Sequence, residues 1–202
     1  KQSSSTGLPF QHSVTAVWPD HSVRWLLLSF LADIEAGQTE TLILQSARPE
    51  TQLNWPEATI DTQADGEITV STGVALFRFK PGEPSWLKTF PDSVNGSDND
   101  SVVEHILRCK DSGGADCTAH SDTGWQVVDH GPLSVSLELS GDWIGTAGKR
   151  LAQFKCRLQF WAGCQNAKLE FCIHNPQRAR HPGGLWDLGD PGSIHFRALG
   201  LD

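Results

Sequence analysis

Tyrosine and methionine are missing altogether from these 202 residues. Without Tyr, proton transfer and sugar stacking must fall to other side chains, and core bulk rests on eight Trp and nine Phe. Without Met, the chain opens on Lys1, the pattern of a processed or shortened polypeptide. Lys1–Gly7 lacks the apolar stretch of a secretory signal. Long apolar runs are lacking too. The strongest, Trp25–Ala32, falls far short of the ~20 residues a membrane-crossing helix needs, so no membrane span is expected. Basic residues are scarce: 16 Lys and Arg stand against 24 Asp and Glu, for a net charge of −8. A nucleic-acid partner needs clustered cations, and this balance argues against one.

Five cysteines (Cys109, Cys117, Cys156, Cys164, Cys172) include no CxxC pair, which removes zinc sites of the paired-cysteine type. Cys109 and Cys117 bracket a short polar loop, KDSGGAD. An oxidising compartment would permit a loop-closing disulfide there, and two free thiols are the alternative. The other histidines (His12, His105, His120, His130, His195) are dispersed, without metal-ligand spacing.

What is present is the composition of a folded protein, 38% hydrophobic and 20% charged, with enough length to bury a core. Alternation with period two runs through it. Leu133, Val135, Leu137 and Leu139 alternate with Ser134, Ser136, Glu138 and Ser140, the pattern of a half-buried strand. Ser22–Asp33 reads as a strand buried on both faces, followed by a turn at Glu35–Gln38 and a returning strand at Glu40–Gln45. Glu67–Thr72 and Val74–Phe79 form another pair broken at Gly73. No segment of ten residues has helical periodicity, so the expected fold class is all-β.

Leu151–Asn175 reads as a hairpin. Phe154, Cys156, Leu158 and Phe160 share one face, and Leu169, Phe171 and Ile173 share the facing one. Matching these faces pairs Leu158 with Phe171 and Cys156 with Ile173, and turns Cys172 away from Cys156. Pro91–Ser101 is a polar loop, and Ala47-Arg48-Pro49 marks a domain boundary near Ser46–Trp55.

Two motifs carry a family resemblance. Val17-Trp18-Pro19-Asp20-His21-Ser22-Val23-Arg24-Trp25-Leu26-Leu27-Leu28 resembles the "WPDGSVRWLLL" signature in the N-terminal barrel of exo-rhamnogalacturonan lyases. His174–Ser193 is similar to the same family's "N-x-x-A-x-H-P-G-G-x-W-D-L-G-D-P-G-S" stretch. Together the motifs span about 32 residues; the hairpins between agree in pattern only. His21 stands where the family commonly carries Gly, and His tolerates positive φ better than a β-branched residue.

The resemblance implies an N-terminal small β-barrel, a central β-sandwich and a C-terminal α/α toroid. Residues 1–48 would be the end of the barrel, and 49–202 part of an antiparallel sandwich. The toroid would belong to the remainder of the polypeptide downstream. The implied activity is β-elimination on pectin-like rhamnogalacturonan, and the implied partner is an acidic polysaccharide or oligosaccharide.

A uronate lyase must neutralise a carboxylate, take the adjacent proton and assist the departing oxygen. Within His174–Ser193, Arg178 and Arg180 suit the carboxylate, His181 suits proton transfer and Trp186 offers a platform for a sugar face. Asp187 and Asp190 are oxygen ligands suited to Ca²⁺, though two carboxylates alone are too few. The same Pro- and Gly-rich stretch also suits a plain connection between sheets, with Trp186 capping the core and both Asp bonded to loop amides. In the Trp18–Trp25 motif, Trp18 and Trp25 are expected in the core, Asp20 capping the turn and Arg24 pairing with Asp20. A carbohydrate-binding module without chemistry and an interaction fragment using open sheet edges remain as alternatives.

Overall fold

A computed structural model describes residues 8–44, 55–81, 87–90, 103–177 and 192–201. The chain is all-β, and its described residues form three antiparallel sheets. The first is a hairpin of β1 (Phe10–Val17) and β2 (Val23–Phe30). The second runs in chain order through β3 (Thr59–Thr62), β4 (Ile68–Ser71), β5 (Leu76–Phe79), β6 (Leu87–Phe90) and β7 (Val103–His105). The third has the order β13-β12-β11-β9-β8-β14, with β10 paired to β11. Its strands are β8 (Leu107–Asp111), β9 (Asp116–His120), β10 (Gln126–His130), β11 (Ser134–Ile144), β12 (Arg150–Trp161), β13 (Ala167–His174) and β14 (Phe196–Leu201). One 3-10 turn at Thr146–Gly148 connects β11 to β12.

The second and third sheets face each other across one core. Alternation explains which residues fill it. Val135, Leu137 and Leu139 of β11 and Phe154, Cys156, Leu158 and Phe160 of β12 point inward, against Ile68, Val70, Phe77 and Phe79 of β4 and β5. Phe77 and Phe160 lie 4.6 Å apart by ring centroid, and Phe79 packs on Trp125 at 5.1 Å. Such tilted aromatic contacts add roughly 0.5–1.5 kcal/mol each beyond the area they bury.

The turns follow from single residues. Gly73 takes φ +81° between β4 and β5, as the break in the pattern there anticipates. Thr72, wholly buried, receives the Ala75 N–H at 3.1 Å and donates to the Cys164 carbonyl at 2.8 Å. Its own carbonyl accepts from Gly163 N at 2.7 Å. One residue thus ties the β4–β5 turn to the β12–β13 turn.

The Leu151–Asn175 hairpin has the expected faces but a different register. Leu158 stands opposite Leu169, Cys156 opposite Phe171 and Phe154 opposite Ile173. The shift from the expected pairing is two residues. An even slip keeps every side chain on its own face, so the apolar pattern alone cannot detect it. Cys172 lies opposite Lys155 and points away from Cys156.

The first hairpin departs further. Its turn is held by Trp18 N to the Ser22 carbonyl at 2.8 Å and His21 N to the Trp18 carbonyl at 2.9 Å. Asp20 accepts from the Ser22 amide at 3.0 Å and the Ser22 hydroxyl at 2.6 Å, the capping role expected of it, and these bonds hold its carboxyl below the usual range. Arg24 lies over the Trp18 ring at 4.5 Å rather than pairing with Asp20. Trp18 and Trp25 are not core residues: they are 49% and 64% exposed. Leu26 and Leu27, neighbours that point to opposite faces, are both about half exposed. The expected two-sided burial of this strand is therefore absent among the described residues, because a two-stranded sheet has nothing stacked on either face. No strand forms at 40–44, where a returning strand was expected. The hairpin is anchored to the third sheet through Gln11. This buried residue donates to Asp129 Oδ2 at 3.2 Å and accepts from Ser134 N at 2.9 Å. A Cβ on Gly131 would stand 2.5 Å from the Gln11 side chain, so glycine is what permits the approach.

Candidate functional site

The face of β11, β12 and β13 that points away from the core is polar and ordered in rows. Register aligns His120 with Asp142, Asp142 with Gln153, and Gln153 with His174, so one row crosses β9, β11, β12 and β13. His174 Nδ1 lies 3.0 Å from Gln153 Oε1. Arg150 Nη1 reaches Asp142 Oδ2 at 3.6 Å.

Two rows further along the same face stand Glu138, Arg157 and Glu170. Glu138 receives Lys155 at 2.8 Å and Arg157 at 3.1 Å, and these bonds hold its carboxyl below the usual carboxylate range despite the opposing effect of burial. Glu170 is bonded by Lys168, which lowers it likewise. Each carboxylate on this face is therefore matched by a cation.

At the end of β13 the chain enters the second motif. Asn175 Nδ2 donates to the Gly192 carbonyl at 2.7 Å, and Asn175 Oδ1 accepts from Gln177 N at 2.9 Å. The first of these bonds clamps the end of β13, next to His174, to Gly192. Gly192 is buried, and the chain then continues into β14. Asparagine suits this position because one side chain supplies both a donor and an acceptor.

The residues singled out from sequence, Arg178, Arg180, His181, Trp186, Asp187 and Asp190, all lie outside the described residues. Pro91–Ser101 and the boundary at 46–54 do so too. Among the described residues no group of three or more His, Cys, Asp or Glu is placed to hold a metal ion. No helix there is long and apolar enough to cross a membrane. His174, Gln153 and the clamp were not anticipated. The first two alternate plainly as outward residues, but only the strand register brings them into one row.

No known family's sequence profile matches this chain, and no curated protein matches it.

Proposed function

We propose that this chain is the β portion of a polysaccharide lyase that cleaves pectin-like rhamnogalacturonan by β-elimination, serving to shape and support the active site. The reading rests on the two motifs, and the observation that carries it is the Asn175–Gly192 clamp. The clamp joins Asn175 to Gly192, and the stretch between them in the sequence holds Arg178, Arg180, His181 and Trp186. In this reading Arg178 and Arg180 bind the uronate carboxylate, Trp186 receives the sugar face and His181 takes the proton. Asp187 and Asp190 would contribute oxygen ligands to a Ca²⁺ site that other groups must complete.

The test uses the longer parent polypeptide and the isolated chain side by side. The isolated chain forms no unsaturated uronate from rhamnogalacturonan, because it supplies only part of the site. In the parent, Arg178→Ala mainly raises KM and His181→Ala mainly lowers kcat, each reducing kcat/KM roughly ten- to hundredfold with little change in Tm. Wild-type kinetics in both variants would overturn the assignment.

A carbohydrate-binding module without chemistry is the second reading, favoured by the charge-matched face of β11 to β13. Saturable binding of rhamnogalacturonan oligosaccharides by the isolated chain, with no product from any longer form, would select it.

A further inference from the structure

Cys109 and Cys117 stand directly opposite each other at the edge of the core. The β8–β9 register pairs them, and Cys117 Sγ lies 4.0 Å from the Ala115 carbonyl. The hairpin turn fixes that register: Asp111 N donates to the Ala115 carbonyl at 2.9 Å, Gly114 N to the Asp111 carbonyl at 3.0 Å, and Ala115 N to Asp111 Oδ1 at 2.9 Å. Directly opposed strand residues have Cα atoms about 4.5–5.5 Å apart, within the range a disulfide spans without backbone movement. In this structure both are free thiols, Cys109 buried and Cys117 partly exposed.

From this geometry we infer that Cys109 and Cys117 form a disulfide on meeting a small-molecule disulfide, and that the bond locks the hairpin supporting β14. Only two ladder pairs, Cys109↔Cys117 and Lys110↔Asp116, join β8 to β9. On its other edge β8 carries β14, with Leu199 opposite Cys109, and β14 is the strand that follows the clamped segment. A covalent link would thus reinforce the shortest ladder in the path from the core to that strand.

The chemistry balances with glutathione disulfide as oxidant. The accessible Cys117, as thiolate, attacks one glutathione sulfur, forms a mixed disulfide and releases one glutathione thiolate. Cys109 then gives up its proton and attacks Cys117 Sγ, and the second glutathione leaves. Two electrons pass from the protein thiols to glutathione, and two protons follow. Burial, with Cys117 and Asp111 as neighbours, pushes the Cys109 thiol up to about 12, which suits it to the second step rather than the first. Cys156 is buried and pushed up likewise, and Cys172 is exposed on the opposite face from it, so neither competes for Cys109.

The test is incubation of the folded chain with glutathione disulfide, acid quench, alkylation of free thiols, trypsin digestion and mass spectrometry. The expected product links the peptide that begins at Cys109 to the one that contains Cys117, with loss of two hydrogens. Oxidation should raise Tm by about 5–10 °C, reversibly with a reductant, as the chain-entropy account gives for so short a loop in a protein of this size. Cys117→Ser should show no such rise, and Cys109→Ser should retain glutathione on Cys117. Alkylation of both thiols after unfolding, stable glutathione on wild-type Cys117, or a bond from Cys109 to another cysteine would each overturn the proposal.

Discussion

The ring of Phe154 fills the space in which a side chain at Gly141 would begin. A Cβ there would lie 2.6 Å from Phe154 Cζ and 2.2 Å from the His120 carbonyl oxygen. Gly141 and Phe154 are register partners on β11 and β12, and both face the core. Gly141→Ala should therefore destabilise the fold by about 1–3 kcal/mol, the usual cost of overpacking. Phe154→Leu should not rescue it, because the His120 backbone remains in the way. Urea unfolding of the two single variants and the double variant checks this, and rescue in the double variant would place the strain on the ring alone.

His21 takes φ +66°, the one non-glycine residue with positive φ among those described. The left-handed region costs an L-residue about 1–2 kcal/mol, partly offset in His21→Gly by the greater freedom of glycine in the unfolded chain. His21→Gly should stabilise the hairpin by roughly 0.5 kcal/mol, and His21→Val should destabilise it. Local amide exchange at Ser22 and Val23 reads the change. A Gly variant that exchanges faster than the wild type would contradict the strain.

Faces were legible in the sequence, and partners were not. Val135, Leu137 and Leu139 are buried where their alternation with polar residues places them. Gly73 breaks the β4–β5 pair where the pattern breaks. The β12–β13 register moved by two residues because the five residues between those strands, not the apolar pattern, set it. Trp25 and its neighbours read as core because their chemistry is apolar on both faces. Whether anything covers such a strand is a tertiary fact that no local pattern contains. The candidate site divides the same way. Its motif residues were visible as an unusual run, whereas the His120–Asp142–Gln153–His174 row depends on residues up to 54 apart in the chain becoming strand neighbours.

Thr72 uses its hydroxyl, its carbonyl and its amide in hydrogen bonds at a wholly buried position. Thr72→Val keeps the shape and removes the hydroxyl, leaving the Ala75 amide and the Cys164 carbonyl without it. The expected cost is about 1–3 kcal/mol, and Thr72→Ser should recover part of it. Equal stability of the Val and Ser variants in thermal melts would show that the hydroxyl is dispensable.

Glu138 predicts a sign for the pH dependence. Hydrogen bonds from Lys155, then Arg157, keep its folded-state carboxyl below its ordinary value of 4.5. As pH falls, the unfolded chain takes up this proton first. The stabilisation is therefore present above about pH 5 and is lost as pH drops through the folded-state value. Both cationic partners are largely exposed, which limits the effect to under about 1 kcal/mol. The stability difference between wild type and Glu138→Gln should stay constant from pH 7 to 5 and shrink below about 4.5. A difference that grows on acidification would reverse the assignment.

Asn175 offers the sharpest test of the clamp. Asn175→Ala removes both the bond to the Gly192 carbonyl and the one from Gln177 N. Asn175→Asp keeps the second, and in place of the first it sets a carboxylate oxygen against a carbonyl. Only the bond to the Gly192 carbonyl joins the two ends, and it is worth about 1 kcal/mol, so opening should become roughly five- to tenfold more frequent, with little change in Tm. Arg178 and Arg180 follow Asn175 closely in the sequence and are cleavage sites for trypsin. When cleavage is slow relative to reclosing, its rate follows the open population. Limited trypsin digestion should therefore cut after Arg178 or Arg180 about five- to tenfold faster in both variants, and at an unchanged rate after Arg157, which lies within β12. Wild-type cleavage rates in Asn175→Ala would mean that the ends of the segment are held by something other than this side chain, and uniform acceleration at every site would mean that the substitution weakens the whole fold.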